Sequence, residues 1–239
     1  MTERPKAASG ALKSGADVRE MFGRIAPRYD LMNRLMTGWQ DERWRRKAVA
    51  YALAAGNRRL LDVATGTGDL ALALADGGGV SVVGLDFAPP MIAGAEAKRH
   101  GRNDVAFLIG DGMHLPFPDG AFDAVTVSFG LRNMPDYAAA LREMARVIKP
   151  GGRLVCLELT PYRAPVLGPV FNWYFTRIVP RIGGVRSGDG AAYRYLPTSV
   201  AAFPDATALA DLMSGAGFAH VAIERVGGGT VALHVATKG

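Results

Sequence analysis

From residue 58 onward, short runs of apolar and β-branched residues alternate with longer stretches in which apolar positions recur every three or four places. A parallel sheet with crossover helices produces this pattern: its strands are buried on both faces, and each covering helix shows one apolar stripe. Strands are predicted at RRLLDVA (58–64), SVVGLD (81–86), VAFLIG (105–110), FDAVTVSF (122–129) and RLVCLEL (153–159). GDLALALAD and PPMIAGAEAKRHG read as helices, Pro116 and Pro118 make the next connection a loop, and MPDYAAALREMARVIKPGG predicts an amphipathic helix stopped by Pro150 and Gly151. FAHVAIERV and TVALHVATK, joined by Gly227 to Gly229, carry a hairpin signal, so the sheet is expected to finish with antiparallel strands.

Two segments lie outside this alternation. Residues 17–57 are helical in pattern with breaks at Pro27 and Gly38, and residues 160–204 form a long insertion rich in Pro, Gly, Arg and Tyr before a last helix, ATALADLMSGAG. Connections of that length more often serve a function than merely join elements. The 239 residues suit one domain. Its parts are a disordered tail (1–16), an N-terminal helical lid (17–57), a core (58–159), the insertion, and a C-terminal helix and hairpin (205–239).

Composition narrows the class. No apolar run approaches the roughly 20 residues of a spanning helix, the first residues lack the apolar core of a secretory signal, and the lone Cys156 excludes an internal disulfide framework. A reducing cytoplasm is expected. Residues 1–59 hold 13 Lys or Arg against 6 Asp or Glu, and the rest 15 against 16, so the whole excess of +6 precedes residue 60. Such a lobe suits nucleic acid, an anionic membrane or plain solvent. Trp39 and Trp44 among Arg43, Arg45, Arg46 and Lys47 suit a membrane interface; the alternative is that both tryptophans pack beneath a polar helix.

In LLDVATGTGD, Gly66, Gly68 and Ala71 have the spacing of a dinucleotide fingerprint, and Asp86 closes the second strand. No Gly-Lys-Ser/Thr follows, which rejects a P-loop. A carboxylate at Asp86 accepts from ribose hydroxyls in either a dinucleotide or S-adenosylmethionine, so it does not decide between them. Asp62 tilts the choice: before the turn it can serve a cationic methionyl amine but would repel a pyrophosphate. Asp111 leaves the third strand where an adenine amino group needs an acceptor. Ordinary turn chemistry, with Asp62 capping a nearby turn and Asp111 at a strand exit, is the competing account.

DVATGTGD, GLDFAPPMI, LPFPDGAFDAVTVSFGLRNM and VIKPGGRLVCLEL resemble class I S-adenosylmethionine-dependent methyltransferases. FGLRN (129–133), with APRYDLMNRLMT upstream and YRYLPTSVAAFP downstream, resembles the ubiquinone/menaquinone biosynthesis C-methyltransferases from about Val18 to the end. The resemblance implies a Rossmann-like seven-stranded, mostly parallel α/β sheet with an antiparallel C-terminal hairpin strand and helices on both faces. It also implies that Gly66, Thr67 and Gly68 face the methionine part of S-adenosylmethionine, that Asp86 holds the ribose, that Asp111 and Gly112 contact the adenine, and that Ser128 touches the cofactor. Two positions depart from the family pattern: Asp111-Gly112 stands where many members have Asn-Ala, and Thr65 where Gly is frequent and a side chain could narrow the turn.

Methylating a ring carbon of a hydroquinone requires removal of a proton from a group with a pKa near 10. Arg132 and Asn133 can stabilise the developing phenolate and orient a hydroxyl or water, and Tyr29 can close over the ring. Arg132 paired to Asp136, and Tyr29 simply packed, are the plain alternatives. No metal is expected: His100, His114, His220 and His234 make no ligand spacing with each other or with Cys156, and only His114 stays open to a role. The implied partners are a polyprenyl hydroquinone and, peripherally at the inner face of the cytoplasmic membrane, an anionic lipid surface. Phe171, Trp173, Tyr174, Phe175, Arg177 and Arg181 suit a tail groove there. No nucleic acid partner is expected, although an RNA or another small molecule is the alternative substrate; a homodimer is left open.

Overall fold

The structure, a computed structural model, describes residues 15–56, 58–161 and 190–239. Seven strands make one sheet: β1 (Arg59–Val63), β2 (Ser81–Asp86), β3 (Val105–Ile109), β4 (Phe122–Ser128), β5 (Ile148–Leu159), β6 (Phe218–Val226) and β7 (Val231–Lys238). Their order is β3-β2-β1-β4-β5-β7-β6, with β1 to β5 parallel and β7 antiparallel to both neighbours. The order reverses between β1 and β4, and ligands of open α/β sheets bind at the carboxyl ends of the strands flanking such a switch.

Alternate residues of each strand feed two separate cores, as a pleated strand covered on both faces must. Leu61 and Val63 join Val125, Val127, Leu154 and Cys156 under α6 (Tyr137–Val147) and α8 (Ala206–Gly215). Leu60, Ala124, Val155 and Leu157 face α3 (Gln40–Leu53), α4 (Asp69–Asp76) and α5 (Pro89–Arg99). Helix starts follow local chemistry. Asp136 accepts from Ala139 N, and Asp205 accepts from Thr207 N and Ala208 N, each supplying an acceptor to otherwise unpaired first-turn amides.

The structure corrects the expected end of α6. The helix stops at Val147, and Ile148 is already extended and paired with Phe122 before a register shift leads to Ala124 opposite Arg153. Lys149 precedes a proline and is biased away from helix, while Gly151 adopts φ 73°, so the turn out of the helix begins ahead of Pro150 rather than at it.

The N-terminal breaks fall where Pro27 and Gly38 stand: α1 (Gly15–Ile25), a 3₁₀ turn (Ala26–Arg28), α2 (Tyr29–Thr37) and α3. Trp39 and Trp44 part company. Trp44 is 6% exposed and lies with Ala48 and Ala52 against the sheet, whereas Trp39 is 56% exposed at the corner before α3. Neither a shared interface nor shared packing therefore describes the pair. Part of the insertion is helical: α7 (Gly190–Ala202) contains Pro197, and its Tyr195 is buried with Met21 of α1 and Met32 of α2. Phe171, Trp173, Tyr174, Phe175, Arg177 and Arg181, with the expected tail groove, lie outside the described residues.

Candidate active site

A cavity of about 520 Å³ opens at the carboxyl ends of β1 to β4 and beneath α1 and α2. Asp86, Asp111 and Gly112 line it together with Gly66, Ser128, Asn133 and Tyr29. Asp62, Thr67, Gly68 and Arg132 lie outside its wall.

The turn after β1 is held open by hydrogen bonds on both sides. Asp86 accepts from Gly66 N and from Ala88 N, both at 2.9 Å, which fixes the carboxylate between the glycine turn and α5. Burial raises the Asp86 pKa, and the bonds from the Ala88 and Gly66 amides work against that rise. Gly66 has φ 57° and Gly68 φ 83°; a Cβ on Gly68 would lie 2.7 Å from Phe107 Cζ, so this glycine lets the turn pack onto β3.

Asp62 supports the turn from below. Its two oxygens accept from Thr65 and Thr126 hydroxyls, each at 2.6 Å, and the side chain is buried. Burial drives its pKa up to about 6, against the two threonine bonds. This geometry matches the turn-capping account of Asp62. Thr65 likewise turns inward to Asp62 and does not narrow the cavity.

Thr67 donates its hydroxyl to Asp30 on α2, and Lys98 on α5 donates to Asp30, Thr67 and Asp69. Helix α2 is thus clamped to the glycine turn one residue after Tyr29. Gly112 makes close wall, because a Cβ there would sit 2.8 Å from Val63 Cγ1 and 3.0 Å from Met134 Cε. The exposed Asp111 accepts from Met113 N, and His114 Nδ1 lies 3.1 Å from its other oxygen.

At the far end, Ala64 and Phe129 end β1 and β4 in the left-handed region, with φ 55° and 54°. Non-glycine residues seldom adopt it, and such strain concentrates at functional sites. Gly130 is required beside them, since its Cβ would lie 2.5 Å from Ala64 Cβ. After this bend a 3₁₀ turn carries Leu131, Arg132 and Asn133.

Arg132 does not pair with Asp136, which caps α6. Its Nη1 donates to Glu158 Oε1 at 2.6 Å and to Phe129 O, while Glu158 Oε2 accepts from Arg132 N at 3.2 Å. Burial opposes the guanidinium's charge, but Glu158 and Tyr29 outweigh it and hold the pKa above its usual value. Sequence reasoning missed Glu158: it sits inside an apolar strand run, and a single carboxylate at a buried position there is the signal that could have found it. Burial also raises the Tyr29 pKa, against a hydrogen bond with Asn33 and the field of Arg132. Arg132 Nε and Asn133 Oδ1 are buried with no partner among the described residues.

Shape and polar groups together fit an adenosyl group carrying a short charged chain: an acidic residue at the end of β2, another after β3, and the glycine turn after β1 on the other side of β2. The ubiE/COQ5 methyltransferase family model matches residues 10–238. The chain belongs to this family. A demethylmenaquinone methyltransferase from Thermus thermophilus is 53% identical over 91% of this chain and 100% of its own length. A ubiquinone/menaquinone biosynthesis C-methyltransferase from a Geobacter species is 43% identical over 95% and 98%. Among solved structures, a SAM-dependent methyltransferase from Thermotoga maritima superposes with a TM-score of 0.66 at 20% identity over 92% of this chain and 99% of that one. The [4+2]-cyclase SpnF reaches 0.65 at 19% over 98% and 99%. The fold is therefore the methyltransferase fold, and a cyclase shares it, so the substrate has to be argued from the site.

Proposed function

We propose that the chain transfers a methyl group from S-adenosylmethionine to a ring carbon of a polyprenyl hydroquinone, converting demethylmenaquinol to menaquinol, with the ubiquinol precursor as a second substrate. The observation that carries this reading is one cavity whose wall holds Asp86 and Asp111 together with Tyr29, Ser128 and Asn133. The names of the relatives in the family point the same way.

When bound, S-adenosylmethionine supplies an electrophilic methyl group on a sulfonium. Asp86 accepts from its ribose hydroxyls, Asp111 and the backbone of Gly112 take its adenine, and Gly66 and Ser128 flank its methionyl arm. Asp62 acts on this arm only through the turn it ties. The chain's further task is alignment and exclusion of water, since an in-line displacement needs little else. Arg132 stabilises oxyanion character on the ring, Asn133 orients a hydroxyl, and Tyr29 covers the ring from the lid. Arg132 stays protonated, so the hydroxyl proton leaves through water rather than to the guanidinium.

Incubation with methyl-labelled S-adenosylmethionine and a short-tailed demethylmenaquinol should place label on the quinol. Label in RNA and none in the quinol would overturn the assignment. We also propose peripheral attachment to anionic lipid, supported by exposed Trp39 and Leu31 beside the exposed Arg43 and Arg46. Equal partition onto neutral and anionic vesicles would count against it. Among the described residues no helix is long and apolar enough to cross a membrane.

A further inference from the structure

The chain between β3 and β4 is held from outside itself. Between Asp111 and Phe122 it contains Pro116 and Pro118, neither of which can donate a backbone hydrogen bond. Its own polar groups close short turns: Asp111 accepts from Met113 N and His114 N, and Leu115 O accepts from Phe117 N. Two side chains on α6, three residues apart, hold the rest. Glu143 Oε1 accepts from Leu115 N at 2.7 Å, Arg146 Nη2 donates to Leu115 O at 3.0 Å, and Nη1 donates to Phe117 O at 2.8 Å and Asp119 Oδ1 at 2.7 Å.

The guanidinium is fully used. Nε donates to Glu143 Oε2 at 2.9 Å and Nη2 to Glu143 Oε1 at 2.7 Å, so with the three loop acceptors every one of an arginine's five N–H donors has a partner. The bond from Arg146 also holds the Glu143 carboxyl below its usual value. Both side chains are partly exposed, so charge attraction alone is weak; the planar fork instead fixes direction, which a lysine's rotating ammonium does not. Apolar contacts complete the anchor: Leu115 is buried, and the Phe117 ring meets Phe122 edge-on with centroids 4.9 Å apart.

Residues 111–114 therefore hang between two fixed points: Gly110, whose N–H donates to Asp86 O at 2.9 Å, and Leu115. Asp111, Gly112 and Met113 of this span line the cofactor cavity; Glu143 and Arg146 do not. The wall has no slack at Gly112, where a Cβ would meet Met134 Cε at 3.0 Å, and Met134 belongs to the turn leading into α6. The start of this helix thus packs against the span that its last turn holds.

We infer that Glu143 and Arg146 are positioning residues for adenine: by fixing Leu115 they place the Asp111 carboxylate against the purine edge. The inference rests on the S-adenosylmethionine reading above and adds what holds its adenine contact in place. Adenine offers an amino group to that carboxylate, whereas hypoxanthine offers a carbonyl, acceptor against acceptor. A fixed Asp111 separates the two bases, and a loosened one does not.

The test is isothermal calorimetry of S-adenosylhomocysteine and S-inosylhomocysteine on the full chain. The wild type should prefer the adenosyl compound roughly tenfold, the scale of one well-placed hydrogen bond. Arg146→Lys keeps a charge without the fork, and Glu143→Met keeps bulk without an acceptor for Leu115 N. In both, the preference should shrink to roughly threefold or less, as that bond is lost. Folded variants that bind both compounds more weakly but keep the wild-type preference would make the pair merely structural and overturn the inference. A wild type that binds both alike would overturn it too while leaving the methyl-donor reading standing; binding neither would sink that reading and the inference with it. In the unliganded wild type the Leu115 amide should be protected from hydrogen exchange, and exchange at the rate of an open loop would overturn the clamp without any variant.

Discussion

Arg132 Nη1 meets Glu158 Oε1 at 2.6 Å with both side chains buried, so the buried guanidinium behind the candidate site owes its position to a carboxylate 26 residues away. The pair joins the turn after β4 to the end of β5, adjacent parallel strands. Glu158→Gln keeps the shape but leaves a buried guanidinium uncompensated, which costs about 3–5 kcal/mol when a buried pair is broken. Chemical denaturation should show a loss of that order. Arg132→Lys retains a charge for Glu158 and lacks Nε. Turnover should fall roughly 100-fold, the scale of removing one oxyanion donor, with the Kd for S-adenosylmethionine within about threefold. Parallel loss of both would make the role structural.

Asp86 couples cofactor binding to pH. Its carboxylate is the acceptor for Gly66 N and Ala88 N and faces the cavity, and burial raises its pKa. Protonation removes acceptor capacity, so affinity for S-adenosylmethionine should fall on acidification, beginning above the ordinary carboxylate range near pH 4. Calorimetric titrations from pH 8 to pH 5 should show the decline in the wild type. Asp86→Asn should bind more weakly at every pH and lose the dependence.

Asp62 makes a separate stability prediction. Its pKa is about 6 folded against 3.8 unfolded, so the folded chain holds the proton more tightly and stability falls as pH rises from about 4 to about 6. At about 1.4 kcal/mol per tenfold change in proton affinity, the charge at pH 7 costs on the order of 2–3 kcal/mol. Asp62→Asn should flatten this part of the pH–stability curve and be at least as stable as the wild type at pH 7. A wild-type curve that rises from pH 4 to pH 6 while the variant's stays flat would contradict it.

The lid clamp should be weak and sensitive to salt. Lys98 bridges Asp30 and Asp69 with its side chain about one-third exposed, a setting in which ion pairs contribute roughly 1 kcal/mol or less. Lys98→Met should change global stability little. Hydrogen exchange in α2 should nevertheless quicken, because Asp30 and Thr67 lose their common partner; unchanged α2 protection would show that the helix is held by Met32 and its apolar neighbours alone.

Local chemistry made much of this chain legible. Strand runs, the GGG hairpin, and the breaks at Pro27 and Gly38 depend on periodicity and on single residues with restricted backbones, and they appear where those residues stand. The helix end at Val147 was misplaced because the bias that Pro150 imposes on Lys149 combines with strand pairing at Ile148, a contact with Phe122 that no local window contains. The helix through Pro197 was missed for the same reason: burial of Tyr195 against α1 and α2 outweighs a proline that reads as a breaker.

What the sequence determined by itself was the alternation of strands and helices and the residue types around the glycine turn, because hydrophobic period and turn chemistry act over a few neighbours. Only the tertiary structure decided which polar groups meet. Asp62 faces Thr126 and Arg132 finds Glu158 through the register of β1, β4 and β5, and Thr67 turns to Asp30 through the packing of α2 over the glycine turn, none of them by distance along the chain. A buried charge is stable only beside its partner, and the register of distant strands chooses that partner.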